Sequence, residues 1–244
     1  ASGTDLDVVL PDWAVAGGRD VILARLADTK TRERLAGELT DGRPRDAWEA
    51  VMLGGTVHPD LYAWRGCTIA EIAARRGVTP GEAVVWILHR DALRTSAFFF
   101  SMSEPNLRRI YAQPWVMVGS DASIRAPQGP LGADHPHPRA YGTFPRFLRL
   151  AQDEGLFPLA EAARRITSLP ADAYGLPGRG RIAVDAFADL VLFDPAAVRD
   201  HATFAHPHAF SGGIERVWVN GRCCYARGRF TGVRAGRVLQ SRFV

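Results

Sequence analysis

Apolar and polar positions follow two different periods along the chain, and the place where one gives way to the other outlines the architecture. Over residues 19–39, Val21, Ile22, Leu26 and Leu35 recur at helical spacing with Arg and Asp between them, which predicts an amphipathic helix. Residues 40–66 carry Gly, Pro and Trp around a strand-like stretch at 47–53 and read as an irregular excursion. Thr68 caps a predicted helix over 69–76, and Thr79-Pro80-Gly81-Glu82 starts another that runs to about residue 92. Proline suits the first turn of that helix, and an acid at its third position completes a capping box. The period then shortens. Residues 96–100 and 115–118 are continuous apolar runs on either side of a helical 104–113 stretch. Strand, helix and strand at this spacing predict a βαβ unit whose parallel strands are buried on both faces. Helices resume at 143–154 and 158–168. The tail reads as a small all-β appendage, with strands at 189–193 and 217–219 and an Asn220-Gly221 hairpin turn leading into 222–225.

Composition narrows the class without naming it. With 244 residues, 47% of them hydrophobic and 23% charged, the chain holds enough apolar material for a sizeable core. A disordered tail, a collagen-like repeat and a disulfide-stapled miniprotein are excluded. The longest apolar runs, such as 96–102, fall far short of the roughly 18–20 residues of a membrane span. No signal or transit peptide is recognisable, so no membrane and a cytoplasmic location are expected. Cys67, Cys223 and Cys224 form no metal-binding pattern, and the vicinal pair would make only a strained disulfide. The net charge of +4 is almost all arginine, Lys30 being the one lysine. Arginine recognises carboxylates through a planar fork. Basic and acidic residues are interspersed, with no basic block and no stacking motif, which argues against nucleic acid.

Asp121 is the strongest candidate for chemistry. It lies just past the 115–118 run, behind Gly119 and Ser120. Strand ends of this kind form the active-site face of parallel α/β folds, where a carboxylate accepts a proton or binds a metal. The plainer alternative is a turn cap. His135 and His137 make an H-x-H that suits zinc only on a rigid strand; among prolines, a surface loop is the simpler reading. Arg139 suits a substrate carboxylate or a surface ion pair equally well. His206 and His208 flank Pro207 without neighbouring acids, His58 and His89 are isolated histidines, Phe98, Phe99 and Phe100 suit a core, and Cys67 suits a structural thiol. No nucleophile elbow, P-loop, dinucleotide fingerprint or H-E-x-x-H is present.

Longer motifs go further. Phe100-Ser101-Met102-Ser103-Glu104, the Val116-Met117-Val118-Gly119-Ser120-Asp121 segment, and above all His137-Pro138-Arg139-Ala140-Tyr141-Gly142-Thr143-Phe144-Pro145-Arg146 stand in order. Ile166-Thr167-Ser168-Leu169-Pro170-Ala171, Gly175-Leu176, Asp189-Leu190-Val191-Leu192-Phe193-Asp194-Pro195 and Val219-Asn220-Gly221 follow them. Upstream, Leu10-Pro11-Asp12-Trp13-Ala14 with Gly17-Gly18 also fits. Together they resemble the N-acyl-D-amino-acid deacylase (D-aminoacylase) branch of the amidohydrolase superfamily. The resemblance implies an α/β chain: the last strands and helices of a TIM-like (β/α)8 barrel over 1–175, and a β-sandwich portion over 176–244. It implies zinc-dependent hydrolysis of the amide bond of N-acyl amino acids, with a zinc-bound hydroxide attacking the acyl carbonyl. Asp121 becomes the general base and a metal ligand, Arg139 the carboxylate anchor, and Met102, Thr4 and Ser2 pocket-wall residues.

One departure is large. The family's barrel begins with an H-x-H on its first strand, a bridging ligand and two further histidines, and none of these is here. His135 and His137 already match the loop after the eighth strand, and Lys30 lies on a predicted helix. Ala1-Ser2-Gly3-Thr4 resembles the segment just after strand six. The expectation is a C-terminal subunit of a cleaved precursor, forming a heterodimer with an N-terminal subunit that carries the H-x-H ligands. Two other readings remain beside it. The same machinery could serve an N-acyl-L-amino-acid acylase or a cyclic-amide hydrolase, which a comparison of enantiomers separates. A noncatalytic scaffold or regulatory chain would be indifferent to Asp121→Asn.

Overall fold

A computed structural model describes residues 1–243. In chain order the elements are β1 (Ser2–Asp5), α1 (Asp12–Val15), α2 (Arg19–Ala27), α3 (Thr29–Asp41), β2 (Val51–Leu53), α4 (Ile69–Arg76), α5 (Pro80–Arg90) and β3 (Ser96–Phe99). They continue with α6 (Glu104–Tyr111), α7 (Arg139–Asp153), α8 (Leu159–Ile166), α9 (Ser168–Ala173), β4 (Leu190–Phe193), β5 (Ile214–Val219), β6 (Arg222–Ala226) and β7 (Arg229–Phe230). Short 3₁₀ turns fill several of the connections, among them Arg45–Trp48 and Pro59–Trp64.

Local chemistry sets most of these boundaries. Thr68 and Thr79 each accept the N–H of the glutamate three residues on, and Glu71 and Glu82 return the bond to the cap backbone. The capping box predicted at the start of α5 is therefore present, and the cap predicted at Thr68 is a full capping box as well. The single helix expected over 19–39 is two. Asp28 leaves the helical region at φ −77°, ψ 124°, and its carboxylate accepts from Thr31 N at 2.8 Å and Thr31 Oγ1 at 2.7 Å. A short acceptor side chain that binds the next turn ends one helix and caps another. α7 starts earlier than the periodicity predicts and contains Pro145. Proline supplies no N–H for the Tyr141 carbonyl, and Ser211 Oγ donates to that carbonyl instead, at 2.9 Å.

Packing divides the chain into two compact units. This division differs from the expected one at residues 175 and 176. The first unit comprises residues 1–103, 124–137 and 203–208. Its sheet has the order β1-β3-β2, and both pairings are antiparallel, with Ser2 opposite Phe99 and Leu53 opposite Ala97. Leu6, Leu26, Leu35, Trp48, Leu61, Ile72 and Leu88 are fully buried in its core. α3 lies so close to α5 that a Cβ on Gly81 would sit 2.0 Å from the Ala36 carbonyl oxygen, so no larger residue fits there.

The second unit holds α6–α9 and the antiparallel meander β4-β5-β6-β7. Phe147, Leu148, Ala151, Ala162 and Val198 form its core, with Tyr111 and Phe157 edge-on or tilted against Phe147 at 5.2 and 5.7 Å. Arg165 is buried there, donating to Glu161 Oε1 at 2.8 Å and to the Tyr111 carbonyl, with its guanidinium over Phe157. The all-β tail and its Asn220-Gly221 turn form as predicted.

The βαβ unit does not form. Residues 115–118 belong to no strand among the described residues; the Val116 N–H closes a turn on the Gln113 carbonyl at 3.2 Å, and Trp115 is two-thirds exposed. An apolar run becomes a strand only when a neighbour takes its backbone hydrogen bonds. No helix among the described residues is long and apolar enough to cross a membrane. All three cysteines are free thiols, so Cys223 and Cys224 are not bridged.

Candidate active site

Asp121 follows the irregular 116–120 segment in the second unit, at a left-handed φ of 47° that an aspartate tolerates better than most residues. Its side chain is 89% exposed and its Oδ2 lies 3.0 Å from Arg139 Nη2. Arg139 is the first residue of α7, after Pro138 at the cap. Its own side chain is only 26% exposed, and its carbonyl accepts from Thr143 Oγ1 at 2.8 Å. The arginine side chain is thus mostly buried while the carboxylate it binds stands in solvent. The structure brings together the two residues that carry the strongest sequence-based expectation. Such a pair can do two things chemically: present a carboxylate as a proton acceptor, and exchange that carboxylate for one on a ligand.

Ser2, Thr4 and Met102 belong to the first unit. Ser2 and Thr4 are exposed and, two residues apart on β1, share one face of the strand. Met102 is 61% exposed just beyond β3.

The histidines of the H-x-H serve a different purpose from metal binding. His135 Nε2 lies 2.6 Å from the Phe204 carbonyl oxygen, and burial pushes its imidazole below the ordinary histidine range. A ring nitrogen facing a carbonyl carries the proton and is not open to a metal. His137 stacks edge-on against Phe98 at 5.3 Å and Phe204 at 4.8 Å. His208 Nε2 returns the tie to the Asp134 carbonyl at 2.8 Å. Two segments distant in sequence, 133–137 and 203–208, are therefore latched to each other and to β3.

Sequence reasoning missed Asp134 in this latch. Its carboxylate accepts the His135 N–H at 2.7 Å and pairs with Arg125 at 3.0 Å. It also packs so closely on Gly55 that a Cβ there would fall 1.8 Å from Asp134 Oδ1. The paired glycines at 54 and 55 were the available signal. Among the described residues, no three or more His, Cys, Asp or Glu converge as a metal centre requires. The donors present do not make a metal site by themselves.

This constellation lies in a chain that belongs to the Amidohydrolase family, whose sequence profile matches residues 9–225. Within that family it resembles enzymes acting on N-acyl-D-amino acids, as its motifs predict. D-aminoacylase of Alcaligenes xylosoxydans xylosoxydans is 43% identical over 175 residues, 71% of this chain and 34% of the relative. A D-aminoacylase structure that addresses a binuclear metal centre with one-metal activation aligns at a TM-score of 0.65 and 39% identity, covering 80% of this chain and 39% of its own. N-acyl-D-glutamate deacylase from Bordetella bronchiseptica, complexed with zinc and a phosphonate mimic of the tetrahedral intermediate, aligns at 0.66 and 30% identity, covering 92% and 47%. The chain spans about a third of the length of the curated relatives it matches.

Proposed function

We propose that this chain is the C-terminal part of a metal-dependent hydrolase of N-acyl-D-amino acids. In this reading the other part of the family's barrel, on the same polypeptide or as an N-terminal subunit from a cleaved precursor, supplies most of the metal ligands. Zinc, the metal bound by the N-acyl-D-glutamate deacylase relative, is the proposed ion, and Asp121 is the ligand this chain contributes. The observation that carries the reading is the Asp121–Arg139 pair, set in a segment that falls within the family match.

The pairing suggests how the two side chains act in turn. A substrate carboxylate arriving at the Arg139 fork competes with Asp121 for the same donors. Substrate binding then releases Asp121 from its ion pair. The freed carboxylate takes a proton from the attacking water and hands it to the amine as the carbon–nitrogen bond breaks. The family motifs, rather than any contact, assign Ser2, Thr4 and Met102 to the acyl pocket in this reading.

The test is hydrolysis of N-acetyl-D-methionine and its L enantiomer by protein purified from its source with metal in place. Turnover of the D substrate is expected, and Asp121→Asn lowers kcat by about 10²–10⁴-fold. Undiminished activity in that variant refutes the assignment. A preference for the L enantiomer favours the L-acylase reading. Native mass spectrometry of the same material decides between one polypeptide and two subunits.

A further inference from the structure

The H-x-H at 135–137 takes no part in the proposed chemistry, yet it sits in a polar latch that fastens residues 124–137 within the first unit. That segment begins three residues after Asp121 and ends two residues before Arg139. Apart from a 3₁₀ turn at Pro130–Gly132 it contains no helix or strand, so side-chain bonds must hold it in place. Two of those bonds are reciprocal. His135 Nε2 lies 2.6 Å from the Phe204 carbonyl oxygen, and His208 Nε2 lies 2.8 Å from the Asp134 carbonyl oxygen. Facing a carbonyl, each ring nitrogen must carry the proton and donate it. Arg65 Nη1 adds a bond to the Ala133 carbonyl at 3.2 Å.

His135 is the tie whose charge can change inside the fold. Its ring is buried, and a Cβ on Gly66 would stand only 3.6 Å from its Nε2. Three charged or titratable groups face it. Arg65, anchored by its Nε on Thr56 Oγ1 at 3.0 Å, and His208 both oppose a positive imidazole. Asp134 favours one, but its carboxylate is shared with Arg125 at 3.0 Å and with the His135 backbone N–H at 2.7 Å. Burial outweighs all of these and holds the imidazole below its ordinary value of 6.5, against the pull of the Phe204 carbonyl. With Nε2–H committed to that carbonyl, Nδ1 is the site left for a second proton, and protonation there puts a charge inside the latch.

We propose that residues 124–137 form a pH-released strap: His135 and His208 pin it to the 203–208 segment, and protonation of His135 unpins it. Once the strap lifts, the His135 ring meets water and takes up its proton at the ordinary value, while the latched ring resists it. The latch is therefore whole above about pH 6.5 and weakens as the pH falls, until the latched imidazole itself is protonated. One proton sets a ceiling of about tenfold on the rise in the open fraction between pH 7.5 and 5.5. Histidine is the side chain that ordinarily changes charge over that range; carboxylates and guanidinium groups do not. Release is a property of the first unit and does not depend on the deacylase reading.

The experiment is hydrogen exchange read by mass spectrometry on the intact protein at pH 7.5 and 5.5, with each rate corrected for the intrinsic pH dependence of exchange. Peptides from 124–137 and 203–208 open more at the lower pH, by more than about twofold and up to about tenfold, while peptides from α5 keep their protection. His135→Gln retains an N–H donor for the Phe204 carbonyl and carries no titrating group. Its strap stays protected at pH 7.5 and loses the response to acid. In His208→Gln the response remains, because His135 is still present. Should His135→Gln not fold, the unaltered protein decides the question: a rise below about twofold in both segments, or a rise that α5 shares, overturns the proposal. So does a response to acid that survives His135→Gln.

Discussion

Replacing Asp91 with alanine isolates one of the tightest polar junctions in the first unit. Asp91 follows the last residue of α5 and is fully buried. Its Oδ1 accepts the backbone N–H groups of Val57 at 2.8 Å and His58 at 2.6 Å, and its Oδ2 accepts the Thr95 hydroxyl at 2.7 Å. A carboxylate at a helix C-terminus opposes the macrodipole, so these bonds must outweigh that cost. Alanine removes the acceptor and leaves its donors without a partner. A stranded buried donor costs about 1–3 kcal/mol, and the hydroxyl can turn elsewhere, so the loss is about 3–6 kcal/mol. Asparagine behaves differently. Its carbonyl oxygen keeps both amides, its NH₂ faces a hydroxyl able to accept, and the cost is about 1–2 kcal/mol. Urea unfolding of both variants measures the contrast, and hydrogen exchange at Val57 and His58 localises it. An alanine variant within about 1 kcal/mol of either the asparagine variant or the parent protein would falsify the reasoning.

Four shorter predictions follow from other sites. Ser211→Ala leaves the Tyr141 carbonyl opposite Pro145 without its donor and lowers stability by about 1 kcal/mol, read from the urea midpoint. Phe147→Ala opens a cavity in the second unit's core at a cost of about 3–5 kcal/mol, read the same way. Hydrogen bonds from Arg164 and then Arg165 hold the Glu161 carboxyl at about 2, against an ordinary value of 4.5. On acidification the unfolded chain therefore takes up this proton first, so the stabilisation is whole above about pH 4.5 and fades as the pH falls towards 2. Glu161→Gln flattens that part of the acid-unfolding profile. Arg139→Lys replaces a planar fork with a point charge; in the proposed enzyme it raises KM for N-acetyl-D-methionine more than it lowers kcat.

Where a structural decision is local, the sequence was readable. The caps at Thr68 and Thr79 and the Asn220-Gly221 turn depend on residues a few positions apart, and each forms as expected. Asp28 could have been read the same way: an aspartate three residues before Thr31 is a cap signal that the smooth apolar period concealed. Residues 115–118 show the limit. Their apolar run states a preference for burial, but a strand also requires a partner, and pairing is a property of the whole sheet. The site divides along the same line. Asp121 and Arg139 were marked by their motifs and meet in space. The role of His135 depended on Phe204, far along the chain, which no spacing rule could supply.

The order β1-β3-β2 places the last-made strand of that sheet at its centre. Ser2–Asp5 finds its hydrogen-bonding partner only once Ser96–Phe99 has been synthesised. At translation rates of about 5–20 residues per second, that wait is roughly 5–20 s. Until then β1 has no partner strand among the described residues and β2 only the 66–68 segment, bridged at Met52 and Thr68, and closing the sheet requires a loop of about ninety residues for β1. Contacts this distant in sequence slow folding far more than they alter stability. The helices between, capped from within, are free to form during the interval and shorten the distance the strands must search. β3 is therefore the kinetic keystone of the unit, and a pause in synthesis shortly before residue 96 extends the period in which β1 is exposed to mispairing.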